Sequence, residues 1–212
     1  MNIAVVIPYY QKSAGVLTRS LKSVFAQTLA NDVRLDVIIA DDASPLDPAG
    51  DVAEAGTPPA GVSIRVVKRA NGGPGAARNT ALDAVAKDCD LIAFIDSDDE
   101  WTPDHLSRAI EALGDEGDFY FANHKRNDGH PSDLDRSRFL KLAGPEGDGF
   151  GGDGAQQNAG GAQEQQHPVR QKKGLGPNGS ECGLRQLHMV LGLILIREMD
   201  QKTTRCGFRS GQ

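Results

Sequence analysis

Asp96-Ser97-Asp98-Asp99, Asp41-Asp42 and Tyr9-Tyr10 are the groups in this sequence whose residue types and spacing could do chemistry. Carboxylates spaced Asp-x-Asp on one tight turn repel each other unless a cation offsets the repulsion. Their hard oxygens suit Mg²⁺ or Mn²⁺, which commonly bridge a diphosphate. Asp96 and Asp98 are therefore candidate metal ligands; the alternative is that they cap the following turn. Asp42 could accept a hydrogen bond from a pyrimidine imide N–H, with Tyr10 offering an aromatic face to the base. The plainer readings are a turn-forming aspartate and a half-buried tyrosine. Arg78 follows Gly72-Gly73-Pro74-Gly75 in what reads as the first turns of a helix, either facing an anionic or carbonyl oxygen or lying on the surface.

These groups sit at the ends of regular elements. Ile3 to Ile7 is a continuous apolar run closed by Pro8, as in a strand buried on both faces. Leu17, Leu21, Val24 and Phe25 then recur on one helical face across Val16–Thr28, with Ser13 as a candidate cap. Further strands are predicted at Leu35–Ala40, Val62–Val67, Leu91–Ile95 and Asp118–Asn123. A helix opens at Gly72-Gly73-Pro74-Gly75 and runs through Ala86. Another begins at Thr102-Pro103, with Leu106, Ala109, Ile110 and Leu113 on one face. Strands alternating with helices imply a mostly parallel sheet, whose ligands bind beyond the carboxyl ends of the strands. The three polar clusters lie at such ends.

The chain has 212 residues, a net charge of −6 and 5% aromatic residues. It lacks the basic footprint of a nucleic-acid binder, so no nucleic-acid partner is expected. No run of about 18 apolar residues suggests a spanning helix. The opening segment has no basic stretch ahead of its apolar run, which argues for a cytoplasmic chain without a secretory signal. Cys89, Cys182 and Cys206 are too scattered for a disulfide framework or a paired-cysteine metal site. Composition breaks near residue 142: residues 1–141 carry net −7 with 10 glycines, residues 142–212 net +1 with 15 glycines and 9 glutamines. Between Ala143 and Gln171 the large apolar residues are Phe150 and Val169, too few to offset the entropy of ordering, so disorder is expected. The apolar patch Leu187–Ile196 could dock as a core segment or aggregate.

Val5-Val6-Ile7-Pro8-Tyr9-Tyr10, Ser20 to Thr28, Ile38 to Ser44, Asn71 to Asn79 and Phe94 to Leu106 together resemble family 2 glycosyltransferases, in order and in spacing. Among these, the bacterial exopolysaccharide enzymes of the succinoglycan-glucosyltransferase kind are the nearest likeness. The resemblance covers about residues 1–125. It implies a GT-A-like α/β fold, a mostly parallel sheet flanked by helices, and a UDP-sugar donor, with UDP-glucose the first choice. It also implies a divalent metal, Mg²⁺ or Mn²⁺, and inversion by direct displacement onto a growing exopolysaccharide or a polyprenyl-linked acceptor. That acceptor would place the chain peripherally at the inner face of the cell membrane. By position, Pro8, Tyr10, Asp42, Arg78 and Asp96 would form the nucleotide site, and Asp96 and Asp98 would ligate the metal.

On this reading residues 1–125 are the nucleotide-sugar-binding domain, 126–142 a connecting segment, and 143–212 a largely disordered extension of a truncated sheet. The family's downstream carboxylate base and Arg-Trp element have no counterpart: Trp101 is the single tryptophan and Glu198-Met199-Asp200 lacks a matching context, so the catalytic base is unknown. Residues from about 142 read either as a shifted frame or replaced end, or as a natural linker with a partner-binding segment. A Rossmann fingerprint fails because Arg78 stands where a third glycine belongs, a P-loop lacks its lysine, and an EF-hand would need glycine at Trp101. A nucleotidyltransferase would show a better glycine-rich, basic loop than Gln11-Lys12-Ser13-Ala14-Gly15. The competing class is a catalytically inactive, nucleotide-sugar-binding remnant of a transferase.

Overall fold

The computed structural model describes residues 1–115 and 119–122, together with short strands at 166–169 and 194–197. Two compact units divide the chain, one containing Met1–Arg108 and the other Ala109–Arg197. The connecting segment 126–142, and the extension 143–212 apart from its two strands, lie outside the described residues.

The first unit is built on β1 (Asn2–Tyr9), β2 (Arg34–Asp41), β3 (Val62–Lys68) and β4 (Leu91–Phe94), all parallel, in the order β3-β2-β1-β4. Val5 stands in register with Val37 on one side and Ala93 on the other. Ile3 to Ile7 and Val37 to Ala40 are all buried, as expected of central strands covered on both faces. β3, paired on one side by β2, alternates between half-buried and exposed positions.

Helices α1 (Val16–Phe25), α2 (Ala49–Ala55) and α3 (Pro74–Asp83) follow β1, β2 and β3. Leu17, Leu21 and Val24 are the buried face of α1, each contributing about 1.5–3 kcal/mol if fully withdrawn from water. The cap of α1 is Gly15, at φ 81°, and not Ser13. A glycine there has no side chain to close the helix start. The Asp51 carboxylate of α2 does so instead, accepting from the backbone N–H of Gly15 at 2.8 Å and of Leu17 at 2.9 Å. α2 itself carries no long apolar stripe, which is why periodicity does not reveal it.

α3 begins with Pro74 behind Gly73 and ends at Asp83, short of the predicted Ala86. The helix predicted from Thr102 starts later: α4 spans His105–Leu113, and Thr102-Pro103-Asp104 form the turn before it. Gln27 holds that turn. Its Nε2 donates to the Thr102 carbonyl at 2.7 Å, and its Oε1 accepts from the Leu106 N–H at 2.9 Å. In the second unit β5 (Phe119–Ala122) pairs antiparallel with β6 (Gln166–Val169) and with β7 (Ile194–Arg197). Composition alone does not reveal β6, because glycine and glutamine dominate its neighbourhood and its pairing is supplied by β5.

Candidate functional site

The carboxyl ends of β1, β2 and β4 lie side by side, because the parallel register brings Tyr9 opposite Asp41 and continues in the Asp42 N–H donation to the Tyr9 carbonyl at 3.0 Å. The Ile95 N–H donates to the Val6 carbonyl in the same way. A cavity of about 340 Å³ opens beyond these ends, lined by Pro8, Tyr10, Asp42, Asp96 and Asp98 together with Gln11, Asn71, Gly73 and Ser97. Pro8, Tyr10, Asp42, Asp96 and Asp98 are all candidates from sequence. Arg78 reaches the same place from α3 by pairing with the Asp96 carboxylate.

Each side chain is held differently. Tyr10 is 47% exposed at the cavity, whereas Tyr9 is 1% exposed and its phenol is pushed up by burial and then by the Asp51 carboxylate. Asp42 is 2% exposed. Its carboxylate pairs with Arg69 and accepts from the N–H of Gly72 at 3.0 and 3.2 Å and of Gly73 at 2.7 Å. Each carboxylate oxygen therefore carries two contacts, Arg69 and Gly72 on Oδ1 and Gly72 and Gly73 on Oδ2, and the group is held in one orientation as an acceptor beside the cavity. Ala43, next in the chain, has φ 54°, a left-handed conformation rare outside glycine that the surrounding turn imposes. That turn is closed by the Ser44 N–H donating to Asp41 Oδ1 at 2.8 Å.

Gln11 joins the three strand ends. Its N–H donates to Ser44 Oγ at 2.9 Å and its Nε2 to Ser97 Oγ at 2.8 Å, inside the Asp-Ser-Asp turn. Neither Gln11 nor Arg69 stands out in the sequence. The available signal was position alone: Gln11 directly follows Tyr9-Tyr10, and Arg69 directly precedes Ala70-Asn71-Gly72-Gly73.

Among the described residues no group of three or more His, Cys, Asp or Glu gathers closely enough to enclose a metal ion. Magnesium is usually held by one or two carboxylates, with phosphate and water oxygens completing its shell. Asp96 and Asp98, both on the cavity and Asp98 exposed, fit that mode. A larger cleft of about 780 Å³ lies at the opposite, amino ends of the strands, where Arg65 pairs with Asp36 and also meets the Ala84 carbonyl. None of the strand-end clusters faces it.

Residues 4–171 match the family described as Glycosyl transferase family 2, most of the chain. The chain belongs to this family. As a glycosyltransferase of family 2 it is 49% identical over 112 residues to the succinoglycan biosynthesis protein ExoW of Rhizobium meliloti, covering 53% of this chain and 34% of that protein. It is 35% identical over 113 residues to an uncharacterized glycosyltransferase of Nostoc sp., covering 53% of this chain and 33% of that one. The chain thus spans about a third of the length of these curated relatives. The crystal structure of TarS 1–349 from S. aureus shares its fold, with a TM-score of 0.50 at 24% identity over 62% of this chain and 38% of that one. The first unit accordingly has the GT-A-type arrangement of a parallel sheet flanked by helices.

Proposed function

We propose that the strand-end cavity binds a UDP-sugar and that the enzyme transfers the sugar, glucose as first choice, to a growing exopolysaccharide or polyprenyl-linked acceptor with inversion. The observation that carries this reading is the gathering of Pro8, Tyr10, Asp42, Asp96 and Asp98 from three strand ends onto one cavity. The exposed Tyr10 ring offers a face to the base, and the Asp42 carboxylate, an acceptor in the cavity lining, suits an imide N–H. Arg78 and Asp96 border the ribose and diphosphate. Asp96 and Asp98 would hold Mg²⁺ or Mn²⁺, and the bound cation would neutralise the departing diphosphate. With these two carboxylates engaged, neither is free to take the proton of the acceptor hydroxyl, so the base is assigned to no described residue. A lipid-linked acceptor would bring the chain to the inner face of the cell membrane as a peripheral protein.

Transfer from UDP-glucose to a polyprenyl-linked saccharide, with a hydrolysis control and a parallel calorimetric titration of UDP, tests the reading. Metal-supported UDP binding with product formation is the expected outcome. Binding without transfer would favour a nucleotide-sugar-binding remnant, and absence of both would sink the assignment.

A further inference from the structure

Arg69 has no role in the family-level reading, yet it occupies a place that nothing else can share. Its guanidinium pairs with the Asp42 carboxylate, while its own N–H donates to the Asp41 carbonyl at 3.0 Å as β3 ends. A Cβ added at Gly72 would fall 2.7 Å from both terminal guanidinium nitrogens and 3.1 Å from the Ala76 Cβ. Any side chain at position 72 would therefore have to displace the guanidinium. The same carboxylate accepts from the amides of Gly72 and Gly73, and Asn71 Nδ2 donates to the Asp42 carbonyl at 2.9 Å. Arg69, Asp42 and the 71–73 turn form one closed ring of contacts, and its side chains are largely withdrawn from solvent, 22% exposed for Arg69 and 3% for Asp42.

We propose that Arg69 is the positioning residue that sets base selectivity. Resting on the nucleotide-sugar reading, it assigns a physical cause to pyrimidine choice. With its guanidinium on Oδ1 and the glycine amides on both oxygens, the Asp42 carboxylate is fixed in one orientation as an acceptor in the cavity lining, where the base N–H shares an oxygen with the amide of Gly72. That acceptor favours uracil, whose N3 carries a hydrogen, over cytosine, whose N3 is itself an acceptor. Without the guanidinium the carboxylate is held by the two glycine amides alone, and its orientation toward the base is no longer fixed. Gly72→Ala should act through the same route, since its methyl group expels the guanidinium.

The test compares UDP and CDP affinities by calorimetry in Mg²⁺ for the wild type, Arg69→Met, Gly72→Ala and the double variant. The wild type is expected to prefer UDP by roughly tenfold or more, the value of one hydrogen bond to a charged group. In Arg69→Met that ratio should fall to about twofold or less, with UDP losing and CDP holding. Gly72→Ala should match it, and the double variant should be no worse than Arg69→Met alone. Should the methionine variant fail to fold, Arg69→Gln, shorter and uncharged and so unable to keep the pair with Asp42, decides in its place by the same ratio. Equal losses of UDP and CDP would mark Arg69 as merely structural and overturn the proposal, as would an unchanged ratio. A wild type that binds neither nucleotide would instead overturn the nucleotide-sugar reading itself.

Discussion

The guanidinium of Arg78 on α3 holds the carboxylate of Asp96 at the end of β4, tying a helix to a strand end at the edge of the cavity. The Arg78 side chain is 12% exposed and that of Asp96 37%, so solvent reaches the pair from the carboxylate side. A cation already bound to Asp96 competes with any metal for the same oxygens. Arg78→Met should therefore raise the affinity of the nucleotide-free protein for Mn²⁺ while lowering UDP affinity about tenfold, the value of one lost charge-assisted hydrogen bond. Titration of Mn²⁺ by electron paramagnetic resonance, beside UDP calorimetry, reads both. If the two affinities fall together, the pair is a scaffold and does not gate the metal.

Asp98 is exposed on the cavity, with no hydrogen bond or ion pair among the described residues. Its free carboxylate is suited to a hard cation. Adding Mn²⁺ or Mg²⁺ should strengthen UDP binding, and Asp98→Asn, which keeps shape and removes charge, should abolish most of that gain. UDP binding of equal strength with and without metal in the wild type would remove the basis for this role.

Asp51 is 5% exposed and satisfies two backbone amides of a helix that is not its own. Asp51→Ala leaves the Leu17 donor buried and the Gly15 donor half-buried without this partner, a buried donor costing about 1–3 kcal/mol. A loss on the order of 3 kcal/mol is expected, with Asp51→Asn, which keeps one carbonyl acceptor, losing less. Urea unfolding followed by Trp101 fluorescence measures it. A change below about 0.5 kcal/mol, the scale of an ordinary surface substitution, would show that the cap is dispensable.

His105 is 3% exposed and stacks on Trp101 with ring centroids 5.0 Å apart. Burial lowers its pKa to about 4, so the folded chain takes up its proton less readily than the unfolded chain does. The stability this contributes is complete above the unfolded value near 6.5 and is lost as pH falls from there toward 4. The gap corresponds to on the order of 3 kcal/mol. Urea midpoints should drop across this window in the wild type and flatten in His105→Phe, which keeps the ring stack. An identical acid limb in both proteins would assign the effect to other groups.

Strand positions were legible because burial on both faces leaves an uninterrupted apolar signature: Ile3–Ile7 and the Ile38-Ile39-Ala40 run announce β1 and β2 without help from context. The cavity residues were legible because Tyr10, Asp42, Asp96 and Asp98 directly follow such runs. The starts of α1 at Val16 and α3 at Pro74 were legible too, but the cap of α1 and the start of α4 were not. Ser13 and Thr102 are good local capping residues, yet the amides of α1 and α4 are satisfied by Asp51 and Gln27, which only the folded chain brings near. For the same reason Arg69 and Gln11 escaped notice. Their partners, Asp42 and Ser97, lie 27 and 86 positions away, beyond the reach of periodicity or spacing.

The borrowed caps bear on how the polypeptide behaves while it is being synthesised. Gly15, Gly73 and Leu106 draw their acceptors from residues 36, 31 and 79 positions distant. Isolated helices shorter than about 12–15 residues are marginal in water, and α1 has 10 residues. Until residue 51 has left the ribosome, the helix that carries the apolar stripe of Leu17, Leu21 and Val24 lacks the carboxylate that closes its start. A nascent chain arrested before that point should be cut by protease within residues 16–25, and one arrested well beyond it should resist.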